Sequence, residues 1–237
     1  MKEGIAMIDY LFISPLGWSN SIWEKIIKHL DKKASIEIIT FLDSPLLEID
    51  AKKIRKKITK NIHKLSDNGI IIAASFGVVS LLSALERIIP SVKTIILIDG
   101  FEAIPNKDEL LKMNLYDIPE KFHTIEEYLG FILEKDDTKD SELVNILTNN
   151  LNHINNEYVV KLSNNNMLNY LLAFSNYPTL DTLKNFLDLN KTIRVEVFSS
   201  RHLPLKCNIH HIETQEHLLM LSNPQKIIDI IKLNHIN

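Results

Sequence analysis

The stretch "IIIAASFGVVSLLSALERIIP" (residues 70–90) sets a hydroxyl between a β-branched apolar run and a longer apolar segment of helical length. Residues 70–75 are apolar until the last, as expected of a strand buried on both faces of a parallel sheet. Residues 76–88 read as a helix, so Ser75 falls at a strand-to-helix turn. Such a turn needs small residues two before and two after the serine, because strand and helix backbones pass close together there. Ala73 and Gly77 meet that demand, giving A-x-S-x-G where G-x-S-x-G is commoner. The helix also aims its N-terminal amides at the serine, which favours developing negative charge. Ser75 is therefore the candidate nucleophile; the alternative reading is a helix-capping serine.

Working outward, short β-branched runs alternate with amphipathic stretches. YLFIS (10–14), IEIIT (36–40), IIIAAS (70–75), TIILID (94–99), TIRVEVF (192–198) and NIHHIE (208–213) read as strands. Helical patterns occupy 21–30, 51–65, 76–88 and 223–233, the last with Pro224 after a polar cap. This alternation predicts an α/β domain with a mostly parallel sheet of about six strands flanked by helices. Residues 103–190 break the rhythm. They contain helical segments at 124–135, 141–154 and 166–174 and no convincing strand, with turns expected at NNN (164–166) and YPT (177–179). The expected organisation is a core of 1–102 and 191–237 with a helical lid inserted at 103–190.

The bulk composition narrows the function classes. At 237 residues, 45% hydrophobic and 24% charged, the chain can bury a sizeable core. A net charge of −3 gives no whole-chain attraction to nucleic acid or anionic membrane. The exception is AKKIRKKITK (51–60), whose Ile54 and Ile58 recur at helical spacing. It reads as the solvated face of an amphipathic helix, or else as a docking patch for an acidic partner such as a carrier protein. Cys207 is the lone cysteine, so it predicts no internal disulfide and fits a reducing compartment. Acids at Glu3 and Asp9 make the N-terminus a poor signal peptide, and no apolar stretch reaches membrane-spanning length. The expectation is a cytoplasmic protein without a membrane or nucleic-acid partner.

A serine hydroxyl needs a base at neutral pH. Of nine histidines, His217 is best placed, in ETQEHLLMLSNPQKIIDII between the last strand and last helix. His202 is a secondary candidate; His210 and His211 lie within a strand, and the others read as surface residues. The base needs an acid to fix its tautomer. Asp99 closes the apolar strand 94–99, where an unpartnered carboxylate would be costly, and Glu102 stands behind it. The loop SSRHLPL after the fifth strand carries no carboxylate. Two backbone amides complete the arrangement as an oxyanion hole, at Phe76 after the serine and in the loop after the first strand.

With these parts in order, the chain resembles the α/β-hydrolase superfamily over most of its length. FISPLGWSNSIWEKIIKHL is similar to that superfamily's strand, H-G-x-G loop and Trp-bearing helix, with Ser14 and Pro15 in place of His-Gly. By resemblance Leu16 supplies the second oxyanion amide. EHLLMLSNPQKIIDII resembles the histidine loop, with Glu216 for the usual Gly. The Ser75–Asp99–His217 order is most similar to thioesterases of polyketide and nonribosomal peptide synthesis, and nearly as similar to small carboxylesterases acting on carrier-bound acyl groups. Departures are Ala73 for Gly and Val78 where a second Gly is frequent. The resemblance implies hydrolysis of an acyl ester or thioester, carrier-protein- or CoA-linked, without metal or organic cofactor. Rival readings are an acyltransferase or lyase on the same scaffold and a non-catalytic binding protein.

Overall fold

The computed structural model describes residues 7–42, 49–86, 92–113, 119–133, 140–213 and 218–235. The chain begins with β1 (Ile8–Ile13), a 3-10 turn at Asn20–Trp23 and α1 (Glu24–Ile27). It continues through β2 (Ile36–Ile39), α2 (Ala51–Ile62), β3 (Leu65–Ala74), α3 (Phe76–Leu85) and β4 (Thr94–Ile98). Then come α4 (Lys107–Lys112), β5 (Lys121–Phe122), α5 (Ile125–Ile132), α6 (Ser141–Thr148), β6 (Leu151–Ile154) and β7 (Glu157–Val160). The remainder is α7 (Asn164–Ala173), α8 (Thr179–Leu189), β8 (Arg194–Ser199), β9 (Asn208–His211), α9 (Leu219–Ser222) and α10 (Pro224–His235).

Six strands form the main sheet in the order β2-β1-β3-β4-β8-β9, and every neighbouring pair is parallel. All six expected core strands are present. Period-two alternation divides their side chains between two cores. Leu11, Ile13, Ile71, Ala73, Ile95 and Leu97 meet the face covered by α2, α3 and α8. Tyr10, Phe12, Ile70, Ile72, Ile96 and Ile98 meet Trp23, Ile26 and the α10 residues Ile227, Ile228 and Ile231. Each fully buried aliphatic side chain contributes about 1.5–3 kcal/mol of transfer free energy. A sheet apolar on both sides stays folded only with helices on both sides, which is the layer arrangement seen.

The segment between β4 and β8 differs from the expectation of helices alone. It carries a three-stranded antiparallel sheet, β5-β7-β6, packed on α5 and α6 through Phe122, Tyr128, Leu129, Leu147 and Leu151. The stretch 141–154 splits because α6 ends at Thr148, and Leu151–Ile154 then extends to pair with β7. Asn155 and Asn156, both with positive φ (51° and 64°), join the two strands. Asparagine tolerates that left-handed backbone, and a two-residue loop of this kind matches the strand twist. The NNN run is not a turn: Ser163 accepts from the Asn166 N–H at 3.2 Å and makes 164–166 the first turn of α7. YPT lies at the start of α8, an element the sequence did not announce.

Candidate active site

Because all six strands run the same way, their carboxyl ends lie along one rim. Ser75 sits there between β3 and α3 with φ 52° and ψ −120°. For a residue with a Cβ this is a strained conformation, costing about 1–3 kcal/mol, and it persists only where the surroundings over-determine it. Two glycines supply that constraint. A Cβ on Gly77 would lie 2.9 Å from both the Ile13 carbonyl carbon and the Ser14 oxygen, and closer still to the Ile13 oxygen. A Cβ on Gly100 would lie 2.5 Å from the Ser75 Cα. The first glycine lets the α3 terminus press against the end of β1; the second lets the chain after β4 pass over the serine backbone.

Asp99 occupies this second crossing with φ 50°, and its Oδ1 accepts from the Gly100 N–H at 3.0 Å. The rim is stitched by backbone bonds, Ser75 N–H to Ile98 O at 3.0 Å and Asp99 N–H to Phe198 O at 2.8 Å. Phe76 holds its ring against Phe41, Phe174 and Tyr170, with centroids at 5.0, 5.4 and 5.9 Å, all edge-on. That packing fixes the first amide of α3 next to the serine. On the β1 side, buried Ser14 accepts from the indole N–H of Trp23 at 2.9 Å. This bond, which the sequence reading missed, ties the loop carrying Leu16 to the following helix. From the sequence alone, Trp23 stands out only through the resemblance of its segment.

The structure thus gathers Ser75, Phe76, Asp99 and the 14–17 loop at one place. His217 lies outside the described residues. Its neighbour Leu218 lines the same cavity as Leu16 and Gly17. The other candidates have different engagements. His202 and His211, both exposed, stack on one another at 4.4 Å. His210 is bonded to Glu196 at 2.7 Å, and Glu102 is an exposed partner of Arg201. Glu196 is a buried carboxylate on β8 to which the sequence assigned nothing. Burial raises its pKa, but bonds from His210, Arg194 and Asn208 outweigh that and hold it below the ordinary glutamate range. Cys207, half-buried beside it, is pushed up to about 11 by burial and then by the Glu196 charge, so it is no thiolate nucleophile.

A cavity of about 850 Å³ opens beside the rim. Its lining includes Leu16, Gly17 and Trp18 from the loop after β1 and the apolar side chains of Phe122, Tyr128, Leu147 and Leu162. Its polar lining includes Asn150, Lys161 and the Lys25–Asp140 pair at 3.1 Å. Among the described residues no group of three or more His, Cys, Asp or Glu is arranged to hold a metal ion, and no helix is long and apolar enough to cross a membrane.

The arrangement of parallel sheet, flanking helices and strained serine turn defines the α/β-hydrolase fold, and the chain has that fold. An E-2-(acetamidomethylene)succinate hydrolase superposes with a TM-score of 0.68 at 13% identity, over 97% of this chain and 92% of its own. A lipase-esterase related protein from Clostridium acetobutylicum gives 0.62 at 17% identity, over 94% and 92%. A thioesterase domain from the curacin biosynthetic pathway gives 0.62 at 11% identity, over 95% and 91%. No family model matches the sequence, and no curated protein does.

Proposed function

We propose that the chain is a serine hydrolase of acyl esters or thioesters, with Ser75 as nucleophile. The observation that carries this reading is the serine's strained backbone at the junction of β3 and α3, enforced by Gly77 and Gly100. In the proposed mechanism Ser75 Oγ attacks the acyl carbonyl while His217 takes its proton. The amides of Leu16 and Phe76 receive the oxyanion, and Asp99 orients His217 and stabilises the imidazolium. His217 then protonates the departing alcohol or thiol. A water deprotonated by His217 cleaves the acyl-enzyme, releasing the acid and restoring Ser75.

Residues 103–190 act as a lid over the core of 1–102 and 191–237, and the cavity between them takes an apolar acyl group. Its volume lies toward the upper part of the range of about 300–1,000 Å³ usual for small-molecule sites. The leaving group we assign is a thiol borne by a carrier protein or CoA. Ser75→Ala should abolish turnover of p-nitrophenyl and thioester acyl substrates and block labelling by a fluorophosphonate. Retained turnover in that variant would refute the assignment; a wild-type protein that neither labels nor turns over would be a non-catalytic member of the fold.

A further inference from the structure

The most concentrated charge on the molecule lies on α2. Residues Ala51–Ile62 carry Lys52, Lys53, Arg55, Lys56, Lys57 and Lys60 and no acid. With a whole-chain charge of −3 and +6 on this helix, the rest of the protein carries −9. Folding does not require this arrangement and is opposed by it. Cations in the first turn face the positive end of the helix dipole, and Lys52–Lys56, Lys53–Lys57 and Lys56–Lys60 are like-charge pairs at i,i+4. The inner face, Ile54, Ile58 and Ile62, is buried and already supplies the helix's packing. The lysines at 52, 56, 57 and 60 are exposed, and none forms an ion pair with a described residue.

The helix that carries this face also reaches the packing around the serine turn. Because α2 ends at Ile62, just before β3 begins at Leu65, its first turn lies toward the other end of the sheet, on the side of the rim where Ser75 sits. The Arg55 guanidinium lies over the Phe174 ring at 6.0 Å, and Phe174 is edge-on to Phe76 at 5.4 Å.

We propose that the exposed face of α2 docks an acidic protein that presents the acyl group to the site. This rests on the acyl-hydrolase reading and adds where the donor binds. Twelve residues of helix span about 18 Å, enough for one acidic helix of a small partner. A long polyanion such as nucleic acid, or an extended anionic bilayer, would also meet the −9 remainder. Nor does α2 expose an aromatic or large apolar side chain for stacking or insertion.

The test measures fluorescence anisotropy of a labelled holo acyl carrier protein titrated with the Ser75→Ala protein, and with the same protein carrying K52E/K56E/K60E. Binding should weaken at least tenfold in the charge-reversed protein, and should weaken with added salt in the parent alone. Circular dichroism of both proteins verifies folding, and the single charge reversals K52E and K60E, each weakening binding partially, serve if the triple variant does not fold. Equal binding by parent and variant, no binding by the parent, or equally tight binding of phosphatidylglycerol vesicles or duplex DNA through the same lysines would overturn the proposal. Docking without turnover by the wild type would sink the hydrolase reading alone; turnover of p-nitrophenyl esters without docking would sink this one alone.

Discussion

Gly77→Ala sets two physical effects against each other. In an ordinary helix, alanine is better than glycine by about 1 kcal/mol. Here the added methyl would enter the gap between α3 and the end of β1, 2.9 Å from the Ile13 carbonyl carbon and the Ser14 oxygen. Carbon atoms prefer about 3.5–4.0 Å, and the obstructing atoms are backbone, so no side-chain rotation relieves the contact. Overpacking of this kind costs about 1–3 kcal/mol, and a backbone obstruction belongs at the upper end. The net expectation is a loss of about 2 kcal/mol, which for a chain of this size lowers the melting temperature by roughly 4–8 °C. The displacement would also separate the Leu16 and Phe76 amides, and a misplacement of about 1 Å costs on the order of 100-fold in rate. Differential scanning fluorimetry and turnover of p-nitrophenyl butyrate give the two readouts, with kcat falling far more than KM rises. An alanine variant at least as stable and as active as the parent would show that helix propensity wins and that the close crossing has no consequence.

Trp23→Phe removes the indole donor to Ser14 while nearly keeping the buried ring; it should cost about 1–2 kcal/mol in urea unfolding and lower kcat more than Gly77-independent surface changes such as Lys184→Ala. Leu143→Trp narrows the cavity and should reduce kcat/KM for decanoyl esters at least about tenfold while sparing acetyl esters. Glu196 has its folded pKa below the unfolded value, so its contribution is present above the unfolded pKa and is lost as pH falls through the folded one. Melting temperature should therefore drop on acidification below about pH 4.3, and that part of the drop should vanish in Glu196→Gln.

The central strands β3 and β4 were legible because burial on both faces demands near-continuous Ile, Leu and Val, a pattern that TIILI and IIIAA display without interruption. The partly buried edge strands β2 and β9 were legible only as short β-branched runs. The strands between β4 and β8 were not legible. Glu157–Val160 is only half-buried, Lys121–Phe122 is two residues long, and Leu151–Ile154 runs on from a helical pattern. The usable signal was Asn155-Asn156, a pair suited to a tight hairpin. At the site, the small residues around Ser75 were legible as a steric requirement. Gly100 was not: its role depends on β4 lying beside β3, a tertiary fact that no local spacing encodes.

The stretch around α6 is fastened to the loop after β1. The amide of Ser19, three residues after Leu16, donates to the Asn150 side chain at 2.8 Å, and Ser21 Oγ donates to the Ile146 carbonyl at 3.1 Å. Lys25 and Lys28 add ion pairs to Asp140 and Glu142 across the same seam. The loop that would stabilise charge and the segment that would choose the substrate therefore share one set of fasteners. Replacing residues 140–150 would retune both at once, unless residues 19–28 were changed with them.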